Sequence, residues 1–121
     1  MLAGLILAVA TPARAQDALA QLDQLSRASA EAGPGIALAR SQIGDGDLVA
    51  AAATLERVLI THPEADAALL LHASLLCRLD DPQGARTEIG ELAGHPISGQ
   101  AWAEVTAACG AIPRPSGRGG R

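Results

Sequence analysis

Three histidines, two cysteines and one pair of adjacent acids are the residues of this 121-residue chain with types suited to chemistry. His62, His72 and His95 are the candidate metal ligands. His62 and His95 each precede a proline, which is what a structural turn used twice would leave. His72 and Cys77 stand five apart, so they do not stack on one helix face as ligands four apart would. Asp80-Asp81 offers two carboxylates, but they precede Pro82, where Asp caps a helix and Pro opens it. The chain has no Ser/His/Asp arrangement, phosphate-cradling glycine loop or zinc-type cysteine spacing. These residues therefore argue against an enzyme, a metal site and a cofactor, and leave binding.

The elements that would position these residues are helices. Leu48, Ala51, Ala52, Leu55, Val58 and Leu59 recur at i, i+3, i+4, i+7, i+10 and i+11, the stripe of an amphipathic helix. Asp47 stands before it as an N-cap, and His62-Pro63 ends it. Shifted by 34 residues, the chain repeats itself: Ala39 falls on Ala73, Asp47 on Asp81, Ala51 on Ala85 and Leu55 on Ile89. A period of about 34 is that of a helix–turn–helix unit that stacks on its neighbours. The predicted first helices run from about Gly35 to Ile43 and from about Glu64 to Leu79, with Gly44-Asp45-Gly46 and Asp80-Asp81-Pro82 as the turns. The second stripe is Ala85, Ile89 and Leu92. A further helix spans Ile97 to Cys109, with Trp102, Val105 and Cys109 on one side. Ahead of the repeats, Ala18, Leu22 and Leu25 mark a leading helix or spacer over 16–33, ended by Gly33-Pro34-Gly35.

On these residues the chain resembles the tetratricopeptide repeat family, over about 33–109. Leu38-Ala39, Gly46-Asp47, Ala51, Leu55 and Pro63 fill the family's positions in the first unit. Ala73, Asp81, Ala85, Ile89 and Pro96 fill them in the second. The family's large aromatic positions hold Gly35 and Gln42 in the first unit, Leu69 and Leu76 in the second. The resemblance implies an all-α fold, a short right-handed α-solenoid of antiparallel helix pairs over 34–109. It implies a concave groove lined by the first helices, with Ile36, Arg40, Ile43, Leu70, Ser74, Cys77 and Arg78 as candidates for contacts to a protein or peptide. In such a groove Arg40 and Arg78 could hold an acidic peptide or a C-terminal carboxylate, since guanidinium groups pair two-pronged with carboxylates; the alternative is that both are solvated surface residues. It also sets Cys77 and Cys109 near the ends of first-type helices that run side by side. Two readings stay open for them. One is a disulfide, the single pairing that two cysteines allow. The other is two free cysteines packed as small apolar groups, since neighbouring helix axes are ~8–10 Å apart.

Composition narrows the role further. The net charge is −4 and all nine basic residues are arginine, so no basic face marks the helical region for nucleic acid. Leu2 to Ala10 is an apolar run too short for the ~20 residues of a membrane span. With Ala13-Arg14-Ala15 behind it, the stretch 1–15 reads as a signal peptide cut before Gln16, which predicts an exported, periplasmic protein. Residues 110–121, rich in Gly, Pro and Arg, read as a disordered tail. The segment Cys77-Arg78-Leu79-Asp80-Asp81, followed by that tail, is similar to periplasmic repeat segments that precede an outer-membrane β-barrel, which implies association with an outer-membrane assembly. Two functions follow as expectations: a non-enzymatic adaptor that binds a protein or peptide, or a structural spacer, the truncated N-terminal segment of a larger outer-membrane or secretion protein.

Overall fold

The structure, a computed structural model, describes residues 12–30 and 32–115. The apolar run Leu2–Ala10 and the tail residues 116–121 lie outside the described residues. Those described form an all-α fold of six helices with no strand: α1 (Pro12–Ala30), α2 (Ala32–Gly44), α3 (Leu48–Thr61), α4 (Asp66–Arg78), α5 (Pro82–Glu91) and α6 (Gly99–Cys109). No helix among them is long and apolar enough to cross a membrane.

Local chemistry sets the helix starts. The Asp47 carboxylate accepts from the Ala50 amide at 3.1 Å, capping α3. Asp81 accepts from the Gly84 amide at 2.9 Å and caps α5, with Pro82 at the first helical position. Ser98 does the same for α6, accepting from the Ala101 amide at 3.1 Å. The turns before α3 and α5 share one backbone shape: Gly46 (φ 78°) and Asp80 (φ 63°) are 34 positions apart and both left-handed. Asp follows Gly as a residue that tolerates this region, because its short polar side chain can bond locally.

Helix α4 is the centre of the molecule. Eight consecutive residues, Ala68 to Leu75, are buried, which one amphipathic stripe cannot explain. The cause is that α4 packs on α3, α5 and α6, while α2 packs on α3. One core gathers Ala39, Ala51, Leu55, Val58, Ala68, Leu71 and Leu75 between α2, α3 and α4. The other gathers Leu69, Leu70, Ala73, Ala85, Ile89, Leu92 and Val105 between α4, α5 and α6. Both are built of aliphatic side chains, and Ala39, Ala51, Ala73 and Ala85 are each fully buried. Small residues at these positions let helix backbones approach closely.

Three expectations about the chain ends are corrected. Gly33-Pro34-Gly35 does not separate α1 from α2; it lies in the first turn of α2. Proline is tolerated there because the first amides of a helix have no intrahelical partner. The leading helix begins at Pro12, inside the stretch read as a signal, and Ala18 and Leu22 do not form its buried face, since Leu22 is 62% exposed. Residues 110–115 are irregular but packed: Ile112 is buried in the second core, and the Arg114 guanidinium donates to the Ile97 carbonyl and sits 5.9 Å from the Trp102 ring centroid.

Candidate functional site

The alternate helices α2, α4 and α6 enclose a cleft of about 400 Å³. Its floor and walls are Arg40 and Ile43 from α2, Leu71, Ser74, Leu75 and Arg78 from α4, and Glu104, Ala107 and Ala108 from α6. On α4 these positions are i, i+3, i+4 and i+7, so one face of the helix supplies them all. The floor is aliphatic and the rim is charged.

Four of the residues expected in a groove meet here: Arg40, Ile43, Ser74 and Arg78. Ile36 and Leu70 do not line the cleft. Leu70 is 6% exposed and belongs to the core between α4, α5 and α6, and Ile36 packs against the core between α2, α3 and α4. They occupy equivalent places 34 residues apart; Leu70 lies one position before Leu71 and turns to the second core, while Ile36 lies one turn before Arg40, where it packs on the first core. Cys77 likewise packs with the second core. The Ser74 hydroxyl donates back to the Leu70 carbonyl at 3.0 Å, so it brings acceptor lone pairs to the cleft and no free donor.

The α6 wall was missed, although the spacing held a signal for it. The His62-Pro63 and His95-Pro96 pairs are 33 apart. The same shift carries Leu71, Ser74 and Leu75 onto Glu104, Ala107 and Ala108, the three α6 residues that line the cleft.

The two arginines differ in state. Arg40 makes a two-pronged contact with Glu104, Nη1 to Oε1 at 3.3 Å and Nη2 to Oε2 at 3.2 Å. Both side chains are about half exposed, so the pair adds only ~0–1 kcal/mol. Arg78 is exposed and makes no ion pair among the described residues. The cleft thus presents one unengaged guanidinium and a second held by an exchangeable partner.

Cys77 and Cys109 form a disulfide, with Cα atoms 5.1 Å apart. Cα atoms stand about 2.3 Å off a helix axis, so facing positions on helices at the usual ~8–10 Å spacing come within reach of a disulfide. The approach occurs where α4 offers Ala73 and Cys77, and α6 offers Val105 and Cys109, in one packed cluster. The bond lies beside the cleft, since each cysteine adjoins a lining residue, Arg78 on α4 and Ala108 on α6.

The three histidines are placed apart, and none lines the cleft. His95 contacts Asp66 at 2.8 Å, tying the segment after α5 to the first residue of α4, and His62 lies 3.6 Å from Glu64. His72 is buried between two other helices. Its Nδ1 meets Glu88 of α5 at 2.7 Å, and its Nε2 lies 3.4 Å from Glu56 of α3. The second contact is not aligned as a hydrogen bond, so it acts as an ionic contact. Among the described residues, no group of three or more His, Cys, Asp or Glu could hold a metal ion.

Burial lowers the His72 pKa, but the hydrogen bond and charge of Glu88, with the charge of Glu56, outweigh it and raise the value above 6.5. A raised folded-state pKa stabilises the fold fully below the ordinary value and loses that contribution as pH rises through the raised one. Urea unfolding of the wild-type chain should therefore show stability falling as pH is taken upward through this window. His72→Gln should flatten that slope. An equal slope in both proteins would contradict the assignment.

Compared with protein-family models, with curated proteins and with solved structures, the chain matches none.

Proposed function

We propose that the chain is a non-enzymatic binding module, a short tetratricopeptide-like solenoid that takes an acidic or C-terminal peptide segment of a partner protein in the α2–α4–α6 cleft. The observation that carries this reading is the pairing of an aliphatic floor, Ile43, Leu71 and Leu75, with Arg40 and Arg78 at the rim. An extended peptide would lay apolar side chains on the floor and set a carboxylate against Arg78. Arg40 would join by exchanging Glu104 for the ligand, a change that costs little because the existing pair is solvated. Charge-assisted hydrogen bonds of this kind contribute about 1.5–3 kcal/mol.

Fluorescence anisotropy with the full chain tests this reading. Peptides ending in an acidic residue and a free carboxylate should bind, and amidated neutral versions should not. Arg78→Ala should weaken binding by about tenfold or more, as loss of one such contact requires. Equal affinity for charged and neutral peptides, or no effect of Arg78→Ala, would contradict it.

An exported, periplasmic setting belongs to the same proposal. Cleavage before Gln16 would remove residues of α1 that are exposed in the structure, Ala13 to Ala15, and would leave both cores intact. N-terminal sequencing of the protein from expressing bacteria should begin at Gln16. Recovery of Met1 on a cytosolic protein would exclude that setting.

A further inference from the structure

We propose that the Cys77–Cys109 disulfide is a redox latch on the cleft. Oxidised, it holds α6 against α4 as the third wall; reduced by a dithiol, it releases α6, and binding of the acidic ligand falls. The ligand part of this proposal rests on the peptide-binding reading above, and the latch itself does not.

Helix α6 is weakly held apart from this bond. It packs extensively on one helix, α4. Of its eleven residues only Val105 is buried, while Ala101, Trp102, Glu104, Thr106, Ala108 and Cys109 are partly covered. A helix of this length is marginal in water on its own. Its contact with α2 is the Arg40–Glu104 pair, which is half exposed and weak. The segment after it adds Ile112 and the Arg114–Trp102 contact. In contrast, α2, α3 and α4 close a core that uses no residue of α6. The latch therefore governs one wall of the cleft while much of the molecule keeps its packing.

The chemistry is thiol–disulfide exchange with a dithiol, small or protein-borne. Both cysteines are partly exposed as residues, at the margin of the second core and not within it. An incoming thiolate attacks one sulfur of the Cys77–Cys109 bond, forms a mixed disulfide and expels the other cysteine as a thiolate. The second thiol of the reagent then displaces the first cysteine. Two electrons pass from the dithiol, which ends as its own disulfide, and both cysteines end as thiols after taking up protons.

Release of α6 has two opposed effects on the ligand. It takes Glu104 away from Arg40, which removes an acidic competitor. It also removes the Ala107 and Ala108 wall and opens the rim to water, where a guanidinium–carboxylate pair is weak. The exposed Arg40–Glu104 pair was weak from the start, so the loss of the enclosing wall decides the direction.

Trp102 is the only tryptophan of the chain and lies on α6, so it reports the latch without a label. The full chain is compared oxidised and reduced with dithiothreitol, with thiols counted by alkylation and mass spectrometry, and Cys77→Ser/Cys109→Ser serves as a permanently unlatched variant. Reduction should shift Trp102 emission to the red and speed amide exchange in α6 by about 100-fold or more, with α2, α3 and α4 still protected. An acidic peptide should bind the oxidised chain at least about tenfold more tightly than the reduced chain or the variant. Unchanged Trp102 emission and α6 exchange with both thiols free would overturn the latch. So would loss of protection in every helix, or equal or tighter peptide binding after reduction. If no acidic peptide binds in either state, the peptide-binding reading fails, and Trp102 emission with α6 exchange still decides whether the latch exists.

Discussion

Leu55→Ala is expected to lower the unfolding free energy by about 2–5 kcal/mol, the range for removing a large aliphatic side chain from a core that cannot fully collapse. Leu55 is completely buried. Its neighbours in the core include Ala39, Ala51, Ala52 and Ala68, whose methyl groups cannot swing into a void. Longer side chains that could move, Leu71 and Leu75, are anchored on α4 between its other contacts. Against the usual total of ~5–15 kcal/mol for a folded domain, that loss is a large part. Circular dichroism melts of the oxidised chain should show the midpoint falling by roughly 10 °C or more. Val49→Ala, on the same helix but 70% exposed, should change stability by no more than about 0.5 kcal/mol. A Leu55→Ala cost below about 1 kcal/mol would mean that the core is not packed as described.

The second large effect belongs to the disulfide. Residues 77 and 109 are 32 apart, and closing a loop of that length restricts the unfolded chain by about 3–4 kcal/mol in the chain-entropy account. The fold of α6, with one buried side chain, cannot replace that contribution. Urea titrations followed by far-ultraviolet circular dichroism should place the reduced chain about 3–4 kcal/mol below the oxidised one. A difference under about 1 kcal/mol would show that the two helices are already associated in the unfolded chain, or that the bond strains the native one.

Much of the fold could be read from residues alone, because several local signals agree. Asp47 and Asp81 cap helices in the structure as their positions ahead of apolar stripes suggest. Leu55, Val58, Ala85, Ile89 and Val105 are buried as their spacing requires. The misses share one cause. Periodicity tells which residues of a helix are apolar, not which neighbour each apolar face meets. Helix α4 is apolar nearly all round, so Leu70, Leu71 and Leu75 were indistinguishable until α5 and α6 took their places beside it. Leu70 then turned to the second core, and Leu71 and Leu75 became the floor of the cleft. Glu104 carries no apolar signal at all, and only the 33-residue shift from Leu71 points to it. The start of α2 was misread for a different reason: Pro34 between two glycines looks like a break, yet proline in a first turn loses no hydrogen bond.

The α2–α4–α6 cleft as a binding surface is tested most directly by NMR. Backbone amide shifts of the oxidised, isotope-labelled full chain would be followed while a peptide with an acidic C-terminus is titrated. The largest changes should fall on Ile43, Leu71, Ser74, Leu75 and Arg78 of α2 and α4 and on Ala107 and Ala108 of α6, and they should vanish with the amidated neutral peptide. Changes confined to the outer helices, around Arg57 of α3 and Gln83 of α5, or no changes at saturating peptide, would contradict the account.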